Sequence, residues 1–298
     1  MKSILSHTLS EKQKGLLGVI TLTLASIVIA LGLASYLPAS SLLQEPCLKS
    51  TLCAGLLEVY EFEDPSDSAR YGKLMGRLDE KEGSNIGSAT GKTNGTTTDL
   101  ALDLAGTTSS YLYANGGGGL SATTGFWLYA DTFPAVGQAM SIISRRDTAR
   151  KGPDIYLQTV TGASDNQLCI AFWSVDGEVS NVNCTADLAT ATWYYFVVGI
   201  APKKNADGVM VGVGSYISQN GAAKSVGSAI PFDIHQGSWQ VRIGNGNAGA
   251  GPNGSGANAY DGRLDQLAFW GRELADAEIT LMYNGGNRLP YPFTAVGE

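Results

Sequence analysis

Eleven short runs of alternating, β-branched or aromatic residues, parted by turn-forming stretches, constrain what this 298-residue chain can fold into. They are LLEVYEF (56–62), TDLALDL (98–104), SSYLYA (109–114), TGFWLYA (124–130), AMSIISRR (139–146), DIYLQTV (154–160), QLCIAFW (167–173), WYYFVVGI (193–200), GVMVGVGSYI (208–217), SWQVRIG (238–244) and RLDQLAFW (263–270). Each suits one strand and is short for a globular helix. ANGGGG (114–119), NADG (205–208) and NGNAGAGPNGSGAN (245–258) mark turns and loops between them. With 38 glycines and only 16 % charged residues, the pattern is that of a β-sandwich and not of alternating βαβ units. No repeat of solenoid length is present.

The N-terminus follows a different rule. Leu16–Leu37 is apolar throughout, and as a helix it would span roughly 33 Å, enough for a hydrocarbon core of about 30 Å. The segment is longer than the apolar region of a secretory signal peptide, which runs to about 7–15 residues. An uncleaved anchor is therefore preferred to a signal peptide cut near Gly32–Ser35. Lys2, Lys12 and Lys14 precede it and Lys49 is the nearest positive charge beyond it, which keeps the N-terminus cytoplasmic. The expected organisation is a cytoplasmic stretch at 1–14, one transmembrane helix at 15–37, a stalk at 38–55 and a sandwich at 56–298, periplasmic or extracellular. EKQKG (11–15) also resembles the leader of type IV prepilins, although Ile20 stands where most pilins carry Glu.

The chain carries a net charge of −7. Removing residues 1–54, with four Lys and two Glu, leaves 16 basic against 25 acidic residues, net −9. Nucleic acid is thereby excluded as an expected partner. Counting outward from an Asp176-Gly177 turn sets Cys169 opposite Cys184, so a disulfide is expected there. Cys47 and Cys53 are candidates for a second, smaller loop. The two histidines, His7 and His235, lie far from these cysteines in sequence, so no zinc site is expected.

The stretch GRLDQLAFWGRELADAEITLMYNGG (262–286) reads as strand, short helix and stop. Strict alternation places Asp265, Leu267 and Phe269 on one face and Leu264, Gln266, Ala268 and Trp270 on the other. Ile279, Met282 and Tyr283 recur at helical spacing, and Asn284-Gly285-Gly286 ends the turn. This segment resembles the close of laminin-G-like and pentraxin-like domains of the concanavalin A-like lectin/glucanase superfamily. LEVYEFEDPSDSARYG, LALDLAGTTSSYLYA, GFWLYADTF, SIISRRD and TWYYFVVGI fall in the family's order, and the likeness covers about residues 56–293. It implies an all-β fold, a two-sheet antiparallel jelly roll, with the short helix covering an end of the sandwich. Many relatives have Ser or Thr where Ala275 stands; with that cap missing, Asp276 is expected to take over capping.

The superfamily includes glycoside hydrolases, whose glucanases align three carboxylates as Glu-x-Asp-x-x-Glu on one strand. No such pattern occurs here. In EVYEFED (58–64), Glu61 and Glu63 share a face, but Pro65 and Ser66 interrupt any continuation. No G-x-S-x-G motif or Walker spacing is present. Catalysis is not expected. Relatives often hold Ca²⁺ in a rim loop, and Asp147 and Asp154 are the candidates for one structural Ca²⁺ here, although Arg145, Arg146, Arg150 and Lys151 oppose a cation. No other cofactor is implied.

Candidate ligand contacts are the cationic Arg145, Arg146 and Lys151, together with Trp239 and Tyr260 flanking the Gly/Asn-rich loop. The expected function is a membrane-anchored, outward-facing, non-catalytic module that binds glycan or protein. The alternative is an accessory subunit of a membrane complex or a pilin-like assembly. NGT at Asn94, NCT at Asn183 and NGS at Asn253 are acceptor-like only in a eukaryotic secretory host.

Overall fold

The computed structural model describes residues 51–63, 71–72, 79–80, 84–92, 99–107, 110–115, 122–144, 153–162, 165–173, 180–230, 240–246 and 258–293. The chain divides into two compact units, Met1–Gln44 and Glu45–Glu298. The apolar segment Leu16–Leu37 and Cys47 lie outside the described residues, and among those residues no helix is long and apolar enough to cross a membrane.

The first strands are β1 (Leu56–Tyr60), β2 (Tyr71–Gly72), β3 (Asp79–Glu80), β4 (Ser84–Thr90), β5 (Leu100–Ala105) and β6 (Leu112–Asn115). Then come β7 (Thr123–Ala130), β8 (Ala139–Ser144), β9 (Asp154–Thr159), β10 (Asn166–Trp173), β11 (Ser180–Cys184) and β12 (Trp193–Lys204). The last are β13 (Met210–Gln219), β14 (Ser225–Ile230), β15 (Gln240–Ile243), β16 (Asn258–Ala259) and β17 (Asp261–Trp270), followed by helix α1 (Asp276–Tyr283).

Two sheets result. The first runs β14-β13-β12-β7-β17-β1-β2, with β5 joined to β17 and β4 to β5; the second runs β11-β10-β9-β8-β15-β6-β3. All described pairings are antiparallel except β16 with β8. The outcome is an all-β, two-sheet antiparallel sandwich consistent with a jelly roll. Each of the eleven predicted runs contains a strand. The expected hairpin is also present, with Cys169 directly opposite Cys184 and the two joined in a disulfide. Cys53 is disulfide-bonded as well.

Alternation builds the core. Phe126, Leu128, Phe196, Val198, Leu264, Leu267 and Phe269 from the first sheet meet Leu112, Ile142, Leu157, Leu168, Ile170, Val241 and Ile243 from the second. The other face of the first sheet is also buried. Trp127, Tyr195, Tyr216, Ala268 and Trp270 pack there beneath Leu52, Ile279, Met282, Leu289, Tyr291 and Phe293. Helix α1 therefore covers the outer face of the first sheet, which corrects the expectation that it closes an end. Of the described tryptophans on this face, Trp127 and Trp270 are buried and Trp193 is half-buried.

Strict alternation fails at one place in β17. The register with β7 shifts between Asp265 and Ala268, and Gln266 takes φ 45°. This bulge lets Leu264 and Leu267 enter the same core, which an unbroken pleat would forbid. The helix start differs too. Ala275 is the N-cap, and the Glu278 carboxylate accepts its backbone N–H at 2.9 Å, so Asp276 is the first helical residue and not the cap. The stop is as expected: Asn284 is left-handed, with φ 47° and ψ 44°.

Candidate functional site

At one end of the sandwich, the connection from β7 to β8 and the approach to β12 enclose a cavity of about 640 Å³. Its floor is polar but paired. Thr159 Oγ1 donates to Asn166 Oδ1 at 2.7 Å, Asn166 Nδ2 donates to the Leu188 carbonyl at 3.4 Å, and the Leu188 N–H returns to the Asn166 carbonyl at 2.7 Å. Its lip is apolar: Phe133 is half-buried, and Val136 is 56 % exposed. Backbone bonds hold the wall, since Asp131 N–H donates to the Asp261 carbonyl at 3.1 Å and Gly137 N–H to the Thr159 carbonyl at 2.8 Å. Gly137 sits at φ 77°, a conformation that side-chain-bearing residues adopt with strain. A concave, mostly apolar cavity with a few fixed polar groups has the form of a small-ligand site.

Beside this cavity, cross-strand neighbours form a row on the outer face of the first sheet. Trp193 on β12 pairs with Tyr129 on β7, Tyr129 with Arg263 on β17, and Arg263 with Asp103 on β5. All four side chains are half-buried. The Tyr129 and Trp193 rings lie 5.2 Å apart at 51°, and the Arg263 guanidinium carbon stands 4.8 Å from the centre of the Tyr129 ring. Such an aromatic pair contributes about 0.5–1.5 kcal/mol beyond its burial.

Asp131 belongs to both features. It lines the cavity, and its carboxyl faces Arg263, Asp261 and Asp103. Burial is the main force raising its pKa; Arg263 opposes the rise, while Asp261 and Asp103 add to it. Thr132 Oγ1 donates to Asp261 Oδ2 at 2.9 Å, which fixes the neighbouring carboxylate.

The acidic run near the start of the sandwich has a different use. Glu61, Glu63, Asp99 and Asp265 surround the buried Arg288. Arg288 Nη2 is 2.5 Å from Glu63 and 2.7 Å from Asp99, and Nη1 is 3.6 Å from Glu61 and 3.7 Å from Asp265. Their remaining contacts tie chain segments together. Glu61 accepts the Tyr291 N–H at 2.7 Å, Glu63 accepts the Leu100 N–H at 3.1 Å, and Asp265 accepts the Lys92 N–H at 2.8 Å. Asp265 bonds from within β17, at the bulge. Burial pushes its carboxyl well above the usual range despite Arg288. Burial alone would lower the Arg288 pKa, and the four carboxylates outweigh it and raise it. This is a structural clasp between β1, β17 and the C-terminal segment.

Of the candidate contacts read from sequence, Arg145, Arg146, Asp147, Lys151 and Trp239 lie outside the described residues. Tyr260 is fully buried, with its hydroxyl donating to the Tyr129 carbonyl at 2.8 Å. It is a core residue and not an exposed ring beside a loop, packed in the core between the sheets. Asp154 is 1 % exposed, and Ser141 Oγ donates to it at 2.8 Å. It serves inside the second sheet and is not presented on a rim loop. Among the described residues, no group of three or more His, Cys, Asp or Glu is arranged to hold a metal ion. Sequence reading gave no binding role to the stretch DTFPAV (131–136), which follows the aromatic strand β7 and leaves Val136 exposed. It offered no signal that 131–136 meets Asn166 and Leu188.

The family model described as concanavalin A-like lectin/glucanases superfamily matches residues 94–280. No curated protein matches. Among solved structures, the botulinum neurotoxin serotype D binding domain is 10 % identical, with 78 % of this chain and 52 % of that chain covered and a TM-score of 0.52. A structure titled for botulinum neurotoxin type C, whose cell entry depends on interaction with two ganglioside molecules, is 9 % identical, with 79 % and 52 % covered and a TM-score of 0.51. Domain 4 of an extracellular arabinanase from Geobacillus stearothermophilus, in complex with arabinotriose, is 15 % identical, with 76 % and 96 % covered and a TM-score of 0.46. This chain spans about half the length of the two neurotoxin structures. At these identities the likeness to them concerns the fold alone.

Proposed function

This chain belongs to the concanavalin A-like lectin/glucanases superfamily, and we propose that its sandwich is a non-catalytic module that binds glycan through the rim cavity and the adjoining aromatic row. The observation that carries this reading is the pre-formed cavity of about 640 Å³, with a paired polar floor and an apolar lip, beside half-buried Trp193 and Tyr129. Rings on a rigid sheet present a flat apolar face at little entropic cost, which suits the faces of sugar rings. The names of the solved relatives, a toxin whose entry depends on gangliosides among them, agree with such a role.

Chemistry is argued against by the use made of the acids. Glycoside hydrolysis needs two carboxyl groups about 5–9.5 Å apart across the scissile bond. Among the described residues the cavity is lined by a single carboxylate, Asp131, and the acidic cluster of β1 is engaged with Arg288. The segment Leu16–Leu37 is proposed to anchor the module in a membrane, N-terminus inward and sandwich outward. Intact mass and N-terminal sequencing from native membranes test that part, because a chain starting near Ser35 would contradict it.

The test of the binding reading is retention of the full chain, in mild detergent, on a glycan array, with Trp193→Ala as the paired variant. Retention that the variant loses is expected. No retention on any glycan would end the reading.

A further inference from the structure

Among the described residues the charges around the rim cavity are mostly acidic, with Arg263 the exception. Among the described residues Asp131 is the only charged one in its lining. Asp165 and Asp187 each adjoin a lining residue, Asn166 and Leu188, and Asp261 is bonded to the lining residue Thr132. The Asp165 carboxylate is held by Thr161 Oγ1 at 2.9 Å and Gln167 Nε2 at 3.1 Å, both neutral donors that leave its charge in place. The described cation facing this group is Arg263, and it is already spread over the Tyr129 ring. Lys203 and Lys204 stand at the far end of β12 from Trp193. A sulfate or carboxylate on a sugar would meet repulsion here.

Resting on the glycan reading above, we propose that the rim cavity selects a carbohydrate bearing a protonated amine, with Asp131 as its counter-ion and the Phe133 lip against the sugar ring. The ammonium supplies the donors that the Asp131 carboxylate accepts. Charge-assisted hydrogen bonds of this kind are roughly twice as strong as neutral ones. Partial desolvation at the rim, with Asp261 and Asp103 nearby, disfavours the charged form of Asp131 although its side chain stays open to the cavity mouth. An approaching ammonium reverses that penalty. The choice of ligand is thus made by the protein's charge pattern and not by the aromatic faces, which accept neutral and charged sugars alike.

Three matched probes test it with the full chain in mild detergent: a glucosamine tetramer, its fully N-acetylated counterpart, and the O-sulfated form of that counterpart. Calorimetric titration at a pH where the amine is protonated is expected to give about tenfold tighter binding for the amine than for the acetylated probe, and weakest binding for the sulfated one. Asp131→Asn is expected to bring the amine and acetylated affinities together, while its thermal midpoint reports that the fold is kept. Equal affinities, or a preference for the sulfated probe, would overturn the amine selection while leaving the cavity as a glycan site. An amine preference that survives in Asp131→Asn would show diffuse attraction to an acidic protein and overturn the assigned counter-ion. If no probe binds and the array retains nothing, the glycan reading itself fails, and this inference with it.

Discussion

Arg272 holds Glu278 at two points, Nη1 to Oε2 at 2.7 Å and Nη2 to Oε1 at 2.6 Å. The same guanidinium donates to the carbonyls of Thr51 at 2.9 Å and Ala54 at 2.5 Å, so the first turn of α1 is tied to the start of the sandwich. The Arg272 hydrogen bond is the main cause holding the Glu278 carboxyl below its usual value of 4.5. A depressed folded pKa adds stability that is complete above the unfolded value and is lost as pH falls through the folded one. Glu278→Gln is expected to cost about 1–3 kcal/mol near neutral pH and to lose most of that penalty in acid. Thermal midpoints of both proteins across the range below about pH 5 check this; parallel curves would contradict it.

The Arg288 clasp has the opposite pH signature. Asp265 stands well above its ordinary value of 3.8 in the folded chain. Its contribution is therefore most favourable below the unfolded pKa and declines as pH rises toward the folded one. Asp265→Asn keeps an acceptor for the Lys92 N–H and removes the charge, so this decline should vanish from its stability profile. Arg288→Met, which leaves the buried carboxylates without their cation, is expected to cost about 3–5 kcal/mol, read by denaturant titration.

The Cys169–Cys184 bridge spans a sequence separation of 15. A loop of that size closed in the unfolded chain corresponds to about 3 kcal/mol. The double variant Cys169→Ser with Cys184→Ser should lose about that much by chemical denaturation, with β10 and β11 still paired in hydrogen exchange.

Two aromatic substitutions should separate binding from folding. Tyr129→Ala removes the centre of the half-buried row and is expected to weaken glycan retention strongly, together with the stacking of Trp193 and Arg263. Tyr260→Phe, which deletes only a buried hydroxyl, should cost about 1 kcal/mol of stability and leave retention unchanged. Loss of retention in Tyr260→Phe would return that residue to the binding surface.

Much of the fold was legible because its strands obey period two and its turns are marked by glycine. The Cys169–Cys184 pairing followed from the same regularity. Strands without an apolar face were missed: β14, reading SVGSAI, is mostly exposed, and β4, reading SNIGSAT, carries one large apolar residue. The bulge at Gln266 has no local signature, so the facing of Leu264 was read on the wrong side. The site was less legible than the fold for a physical reason. Asp131, Thr159, Asn166 and Leu188 converge only because strands from two different sheets end at the same rim, a fact of three-dimensional assembly that no window along the chain contains. Tyr260 illustrates the converse, since proximity in sequence to a Gly-rich loop says nothing of which way the ring turns.

The turn at Thr51–Cys53 also has a mechanical meaning. It is bonded to the body of the domain through Arg272, and Trp270 Nε1 donates to the Leu52 carbonyl at 2.7 Å, all ahead of β1 in the chain. A pull on the chain at Thr51 is therefore received by a fork of hydrogen bonds and a buried indole, and the ladder between β1 and β17 bears load only after these have let go.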